Sequence, residues 1–199
     1  MFYTIITIAL CAVGALTFIP QLKGAMERYS IGINFFLTLI ATLVGVFIAI
    51  SITNYEAQQK EKQDVIKLLR SAMSSIDTCH DYSEKLIDYF NKLPKHDDAR
   101  PDFFSKNPPP YPEYLDTFLM QNLVSKNLSG TSLNQLNENL INLKRSRTFN
   151  APLYLTVLDN TFKLLQLEVS YQQGHLNEVQ LEAQINDLDT VLTNSPLLD

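Results

Sequence analysis

Two long runs without a charged residue constrain this chain more than any other feature of its sequence. The first run covers residues 1–22 and the second covers residues 29–55. A helix of about 20 apolar residues is long enough to cross the hydrocarbon core of a bilayer. The pattern therefore predicts a transmembrane domain of two helices over residues 1–55, joined by the short segment 23–28. A cleaved signal peptide is the alternative for the first run, but no Lys or Arg precedes it and no small-x-small cleavage site follows it.

Positive residues next to the spans predict the orientation in the membrane, because loops rich in Lys and Arg stay in the cytoplasm. The connecting segment 23–28 has two of them, whereas the segment after the second span has four: Lys60, Lys62, Lys67 and Arg70. The count favours a multi-pass protein of the cell inner membrane with a cytoplasmic C-terminal domain. Cys11 lies inside the first predicted span and Cys79 lies far along the soluble side, so the two are not expected to meet within one chain and a reducing compartment fits.

Small residues recur every four positions in the second span, at Ala41, Gly45 and Ala49. This spacing places them on one helix face, where another backbone can approach closely in lipid. The neighbour could be the first span or a second copy of the chain.

The remainder of the chain is predicted to be all-α, in three parts. No Pro or Gly occurs between Val46 and Leu93, so the second span should continue as a helical stalk over residues 56–93. Residues 94–112 contain six prolines and are predicted to form a non-helical connector. Residues 113–199 are predicted to form a helical cytoplasmic bundle.

The stalk carries an apolar seam with heptad spacing. Its members are Val65, Leu69, Ala72, Ile76, Cys79, Ser83, Leu86, Phe90 and Leu93. The seam could join copies of the chain as a coiled coil, in which case oxidation should cross-link neighbouring Cys79 residues. The alternative is an amphipathic helix that packs on its own domain.

Three or four helices are predicted in the bundle from apolar periodicity and capping signals. The first covers residues 113–126. The second begins at a capping box of Ser132 and Gln135 and ends in a basic cluster. The third begins near Pro152 and stops at Gly174, and the fourth is capped by Asn177 with Gln180.

Motifs for catalysis and for metal binding are missing from the sequence. There is no Gly-rich phosphate loop, no Gly-x-Ser-x-Gly elbow and no Cys-x-x-Cys pair, and the three histidines are isolated. The net charge of −5 disfavours DNA binding, which requires an extended basic face. The sequence therefore predicts a non-enzyme without a cofactor or a metal.

A basic cluster is the one candidate binding site, because Lys144, Arg145 and Arg147 are the only positive residues between Lys126 and Lys163. Arginine binds phosphate through two parallel hydrogen bonds, and Ser146, Thr148 or Asn150 could add neutral donors. If the cluster serves only the ligand, removal of Arg145 and Arg147 should not lower the unliganded melting temperature. The alternative is helix capping with ordinary surface charge.

Two spans, one continuous helix into the cytoplasm, an all-helical tail and a small size together resemble the two-span membrane effectors of type III CRISPR antiviral defence. That resemblance implies a homotetramer whose cytoplasmic domain binds a cyclic oligoadenylate, after which the membrane part impairs the membrane of the infected cell. The phosphate contacts would be Lys144, Arg145 and Arg147. Two other interpretations remain: a structural anchor that recruits a protein partner, and a two-span abortive-infection toxin.

Overall fold

The computed structural model describes residues 2–16, 30–148 and 150–193, and every regular element in these ranges is a helix. The prediction of an all-α chain is therefore confirmed for the described part. The chain divides into two compact units, Met1–Glu61 and Lys62–Asp199. One helix, α2 (Ser30–Lys92), contains the boundary between them, so the predicted continuation of the second span into the stalk is confirmed.

The first unit contains α1 (Phe2–Leu16) and the beginning of α2. Within the described ranges, α2 is the one helix both long and apolar enough to cross a membrane, and its most apolar 18-residue window has a mean hydropathy of 2.6 and is 6% buried. Large apolar side chains in the first part of α2 face outward: Ile31 is 87% exposed and Phe35 is 72% exposed. Length and composition thus allow one membrane span. The small residues Ala41, Gly45 and Ala49 are also exposed.

Several sequence-based predictions fall on residues 17–29. They include the end of the first span at residue 22 and the connecting segment 23–28. These residues lie outside the described ranges. The helix α1 has 15 residues, so a complete two-span hairpin is not established by the described part of the chain.

The heptad seam of α2 packs inside its own domain. Val65, Leu69 and Ala72 are fully buried, and Ile76 is 1% exposed. They belong to the same core cluster as side chains from the C-terminal helices. The alternative of an amphipathic helix packed on its own domain is therefore confirmed for this part of the seam. A coiled coil through these residues is excluded because they have no surface left for a partner.

The Pro-rich connector contains one short helix, α3 (Phe103–Lys106). The prediction that residues 94–112 exclude helix is wrong at these four positions, which lie between Pro101 and Pro108 and contain no proline. The helix is fixed by aromatic packing, since the Phe103 and Phe104 rings lie 5.3 and 4.8 Å from the Phe90 ring of α2. The Arg100 guanidinium lies 4.3 Å from the centre of the same Phe90 ring and donates to the Leu93 carbonyl oxygen.

The single helix predicted over residues 113–126 is wrong, since the structure has two, α4 (Tyr114–Leu119) and α5 (Asn122–Asn127). The chain breaks at Gln121, whose backbone is extended. After the break the buried position is Val124, which is buried as completely as Phe118, and not the predicted Leu123, which is half-buried. No Gly or Pro marks the break, and core packing is its physical reason.

Helix α6 (Gly130–Ser146) begins earlier than predicted. Its N-cap is Ser129, whose Oγ accepts a hydrogen bond from the Ser132 backbone amide at 3.1 Å. The predicted capping box of Ser132 and Gln135 is therefore wrong by one turn. Ser132 lies inside the helix and is buried.

The last two helices begin where the sequence predicts. Helix α7 (Ala151–Gln172) has Pro152 in its first turn and is followed by Gly174 at φ 78°, a left-handed conformation that glycine adopts without strain. Helix α8 (Glu178–Thr193) follows the predicted capping box. The Asn177 backbone N–H donates to Gln180 Oε1 at 3.0 Å, and the Gln180 backbone N–H donates to Asn177 Oδ1 at 2.9 Å.

Helices α6, α7 and α8 pack together and share a core with the stalk part of α2. A chain of amides crosses this core. Asn139 Nδ2 of α6 donates to Asn160 Oδ1 of α7 at 3.1 Å, and Asn160 Nδ2 donates to the Leu188 carbonyl oxygen of α8 at 3.0 Å. Both asparagines are buried.

Candidate functional site

The predicted basic cluster lies at the C-terminal end of α6. Lys144 and Arg145 occupy its last turn, and Arg147 is its C-cap. Positive side chains at this end complement the helix dipole. The position thus agrees with the capping alternative, and the partners of each side chain decide how much of the cluster is available to a ligand.

Lys144 has a partner within the protein. Its Nζ lies 2.9 Å from Asp116 Oδ1 of α4 and 5.3 Å from the centre of the Tyr111 ring. Tyr111 donates its own hydroxyl to the same Asp116 oxygen at 3.0 Å. A phosphate that bound Lys144 would therefore compete with a carboxylate already in place.

Arg147 also has a partner, in the proline strap, which we define as residues Pro108–Pro112. Its Nε donates a hydrogen bond to the Pro109 carbonyl oxygen. Next to it, the hydroxyl of Tyr154 donates to the Pro110 carbonyl oxygen at 2.5 Å. Pro109 and Pro112 are buried, so this part of the connector is packed onto the bundle.

Arg145 differs from its two neighbours. It is exposed, and it has no ion pair or hydrogen bond with any described residue. Two of the three neutral donors predicted beside it have other roles: Ser146 Oγ is buried and donates to the Asn142 carbonyl oxygen, and Asn150 Oδ1 caps α7 by accepting from the Leu153 backbone amide. The third, Thr148, is exposed. Among the three predicted ligand residues, only Arg145 is therefore available without breaking an existing contact.

The expectation about the melting temperature needs correction for one residue. Arg147 is half-buried and hydrogen-bonded, so its removal should destabilise the unliganded protein. The expectation of an unchanged melting temperature remains reasonable only for Arg145.

Three side chains with a weakly acidic thiol or phenol group lie near the attachment of the strap. Cys79 and Tyr154 are buried, and Tyr111 is half-buried. Burial raises the pKa of the Cys79 thiol above 9.0, although the nearby Arg147 charge opposes the shift. Burial also raises the pKa of Tyr154, with a smaller contribution from Cys79. The pKa of Tyr111 is raised by burial and by its hydrogen bond to Asp116. All three groups are thus neutral at physiological pH.

Glu168 is an acidic residue to which the structure gives a specific role. It is fully buried. Its two carboxylate oxygens accept from the Ser129 amide at 3.3 Å, from Ser129 Oγ at 3.1 Å and from Gln172 Nε2 at 2.8 Å. A negative charge at the N-terminus of α6 is favourable to the helix dipole. The 39-residue separation of Glu168 and Ser129 leaves no local signal for this pairing.

One histidine is less isolated than its sequence context suggests. Ligand atoms of His80, Asp81 and Glu84 all lie within 4.8 Å of one another on α2. His80 Nε2 also lies 3.4 Å from Asp159 Oδ1 of α7. Asp81 and Glu84 are exposed, and the absence of a metal remains a prediction.

No family model, curated protein or solved structure matches the chain. A function must therefore be inferred from the residues themselves. The exposed apolar part of α2 bears on a membrane location, and the contacts of the basic cluster bear on ligand binding.

Proposed function

We propose that this protein is a membrane-embedded effector of antiviral defence, of the kind that its resemblance to type III CRISPR effectors implies. Its helical unit would bind a cyclic oligoadenylate, and the bound state would perturb the membrane. The observation that carries the proposal is the dual character of α2. Its first part exposes large apolar side chains, whereas residues of the same helix from Val65 onward form the core of the second unit.

The exposed apolar surface supports a membrane location. An isolated helix with such a surface is unfavourable in water, at about 25 cal/mol for each Å² of apolar area. Ile5 and Ile8 of α1 are each 65% exposed as well. Two spans in the cell inner membrane with a cytoplasmic second unit are the arrangement that we propose, from the two charge-free runs and the flanking positive residues.

Continuity of α2 supports coupling between ligand and membrane. A helix is a stiff element, and its buried residues in the second unit are held by side chains of the C-terminal helices. A ligand that binds one state of that unit more tightly than another would shift the population of states available to α2. This mechanism needs no separate transmission element.

The ligand contacts that we propose are Lys144, Arg145 and Arg147. Because Lys144 pairs with Asp116 and Arg147 pairs with the strap, phosphate would have to replace both contacts. Binding would then break the Arg147 bond to the proline strap and leave the strap held by the bond from Tyr154. The resemblance implies a homotetramer. In such a symmetric assembly, the repeated copies of the basic cluster would supply several cations to one cyclic ligand.

Proteoliposomes that contain the full chain and an encapsulated dye test this function. Dye release is expected after addition of cyclic oligoadenylates of one ring size. The change Arg145→Glu should prevent release without affecting the fold, because this side chain is exposed. Lys85→Glu is a matched control, because it reverses the charge of another exposed cation.

Failure has a defined meaning in this experiment. If no ring size releases dye or raises the melting temperature, the effector proposal is wrong and the anchor with a protein partner becomes the better interpretation.

Reporter fusions test the orientation separately. Fusions at Lys95 and Asp199 should be cytoplasmic and one at Met26 external.

A further inference from the structure

A groove in the second unit has no role in the proposed function. It has a volume of about 640 Å³ and lies between the stalk part of α2, α7 and α8. Small-molecule sites in proteins have volumes of about 300–1,000 Å³. The groove is therefore large enough for a small organic ligand.

Two cations line this groove from different helices, Arg70 of α2 and Lys163 of α7. Neither has an ion pair or a hydrogen bond with another residue in the described ranges. Lys144 and Arg147 of the basic cluster do have such partners. A bound anion at the groove would therefore gain two charge-assisted contacts without breaking any contact inside the protein.

The wall of the groove is apolar. Met73 of α2 and Leu167 of α7 are half-buried and pack against the core. Leu188 of α8 also lines the groove and is half-buried. Three apolar side chains on three helices provide a surface against which a flat, weakly polar ring of a ligand can pack.

The uncharged and acidic side chains of the groove bear on which kind of organic anion fits it. Gln166 and Gln184 offer amide donors and acceptors, and Asp187 offers a carboxylate. All three are exposed, so a simple alkyl phosphate would leave them hydrated and gain no hydrogen bond from them. A nucleobase and a ribose carry donors and acceptors that fit them, and the amino or hydroxyl hydrogens can bind the carboxylate.

We propose that this groove binds a nucleoside monophosphate, with its phosphate on Arg70 and Lys163 and its base against Met73, Leu167 and Leu188. The inference does not rest on the proposed function, whose ligand contacts different cations. It can be correct whether or not the protein is an effector.

Binding of adenosine monophosphate to the full chain in detergent, measured by calorimetry, is the test. Saturable binding is expected. Each removed cation, in Arg70→Gln or Lys163→Gln, should weaken it about tenfold, the effect of one lost charge-assisted hydrogen bond. Lys85→Gln, an exposed cation on α2 outside the groove lining, should leave the affinity unchanged.

Fragments of the probe separate the two halves of the proposed site. Inorganic phosphate and adenosine should each bind more weakly than the whole nucleotide, and n-butyl phosphate should also bind more weakly. The proposal is overturned if adenosine monophosphate does not bind at millimolar concentration, if the two cation variants bind it as well as wild type, or if n-butyl phosphate binds more tightly. Failure of cyclic oligoadenylates to release dye would leave this result unaffected.

Discussion

The hydroxyl of Tyr154 donates a hydrogen bond to the carbonyl oxygen of Pro110, 44 residues earlier in the chain. Tyr154 is fully buried in α7, and Pro110 belongs to the proline strap. Proline residues lack a backbone donor, so the prolines of the strap can be held only through their carbonyl oxygens. This bond and the neighbouring one from Arg147 convert a connector into part of the fold.

Removal of either bond to the strap should destabilise the protein. Tyr154→Phe and Arg147→Ala should each lower the free energy of unfolding by about 1–3 kcal/mol, because a partly buried carbonyl oxygen loses its donor. Arg145→Ala should change it by less than about 0.5 kcal/mol, as at other exposed positions. Chemical denaturation of the three variants measures the difference. Equal stability of Arg147→Ala and Arg145→Ala would show that the strap is not held through Arg147.

Replacement of Glu168 should be more severe than replacement of an exposed acidic residue. Glu168→Ala leaves the Ser129 and Gln172 donors without their acceptor, and charge-assisted bonds of this kind contribute about 1.5–3 kcal/mol each. Glu138→Ala, an exposed position on α6, is the matched control. Thermal unfolding should separate the two variants by several degrees. A small effect at Glu168 would mean that water replaces the carboxylate without cost.

Alkaline pH should destabilise the second unit. The pKa values of Cys79 and Tyr154 are raised in the folded protein above their ordinary values of 9.0 and 10.0. The folded state therefore retains these protons longer than the unfolded state does. Their contribution to stability is complete below those ordinary values and is lost as pH rises through the higher pKa of the folded state.

Unfolding measured from neutral pH to above pH 10 checks this dependence. Tyr154→Phe should unfold with a weaker dependence on alkaline pH than wild type, since it lacks one of the three groups, Cys79, Tyr111 and Tyr154, whose pKa values are raised. Tyr82→Phe, at an exposed tyrosine of α2, should retain the dependence of wild type. An identical pH profile for Tyr154→Phe and wild type would contradict the assignment.

Cys79 should be unreactive in the folded protein. Its thiol is buried, and its raised pKa leaves little thiolate at neutral pH. Alkylation by iodoacetamide should therefore be slow until a denaturant is added. The same burial means that oxidation should not cross-link Cys79 between copies of the chain, as a seam between copies would have required. A rapid cross-link through Cys79 would show that the stalk separates from its bundle.

Local signals were sufficient for part of this fold. The capping box of Asn177 and Gln180 needs only side chains three residues apart, and the structure has both of its hydrogen bonds. The break at Gln121 has no such signal, because it depends on which face of each short helix meets the core. A helix was therefore predicted across it.

The candidate site was harder to predict for a related reason. The charges of Lys144 and Arg147 were visible in the sequence, but their partners Asp116 and Pro109 lie 28 and 38 residues away. Periodicity identifies a helix and its apolar face, and it does not specify which distant loop crosses the end of that helix. Arg70 and Lys163 were separated in the same way, on two helices that only the packed bundle brings to one groove.

The amide chain from Asn139 through Asn160 to Leu188 restricts how the last three helices can move. A slide of α7 by one helical turn would displace Asn160 by about 5.4 Å along the axis and separate it from both partners. Buried amides without partners are costly, so intermediate positions of the three helices are strongly disfavoured. Any structural response of this unit to a ligand should therefore move α6, α7 and α8 as a block, and the freedom to respond should lie in the proline strap and in the contacts of the block with α2.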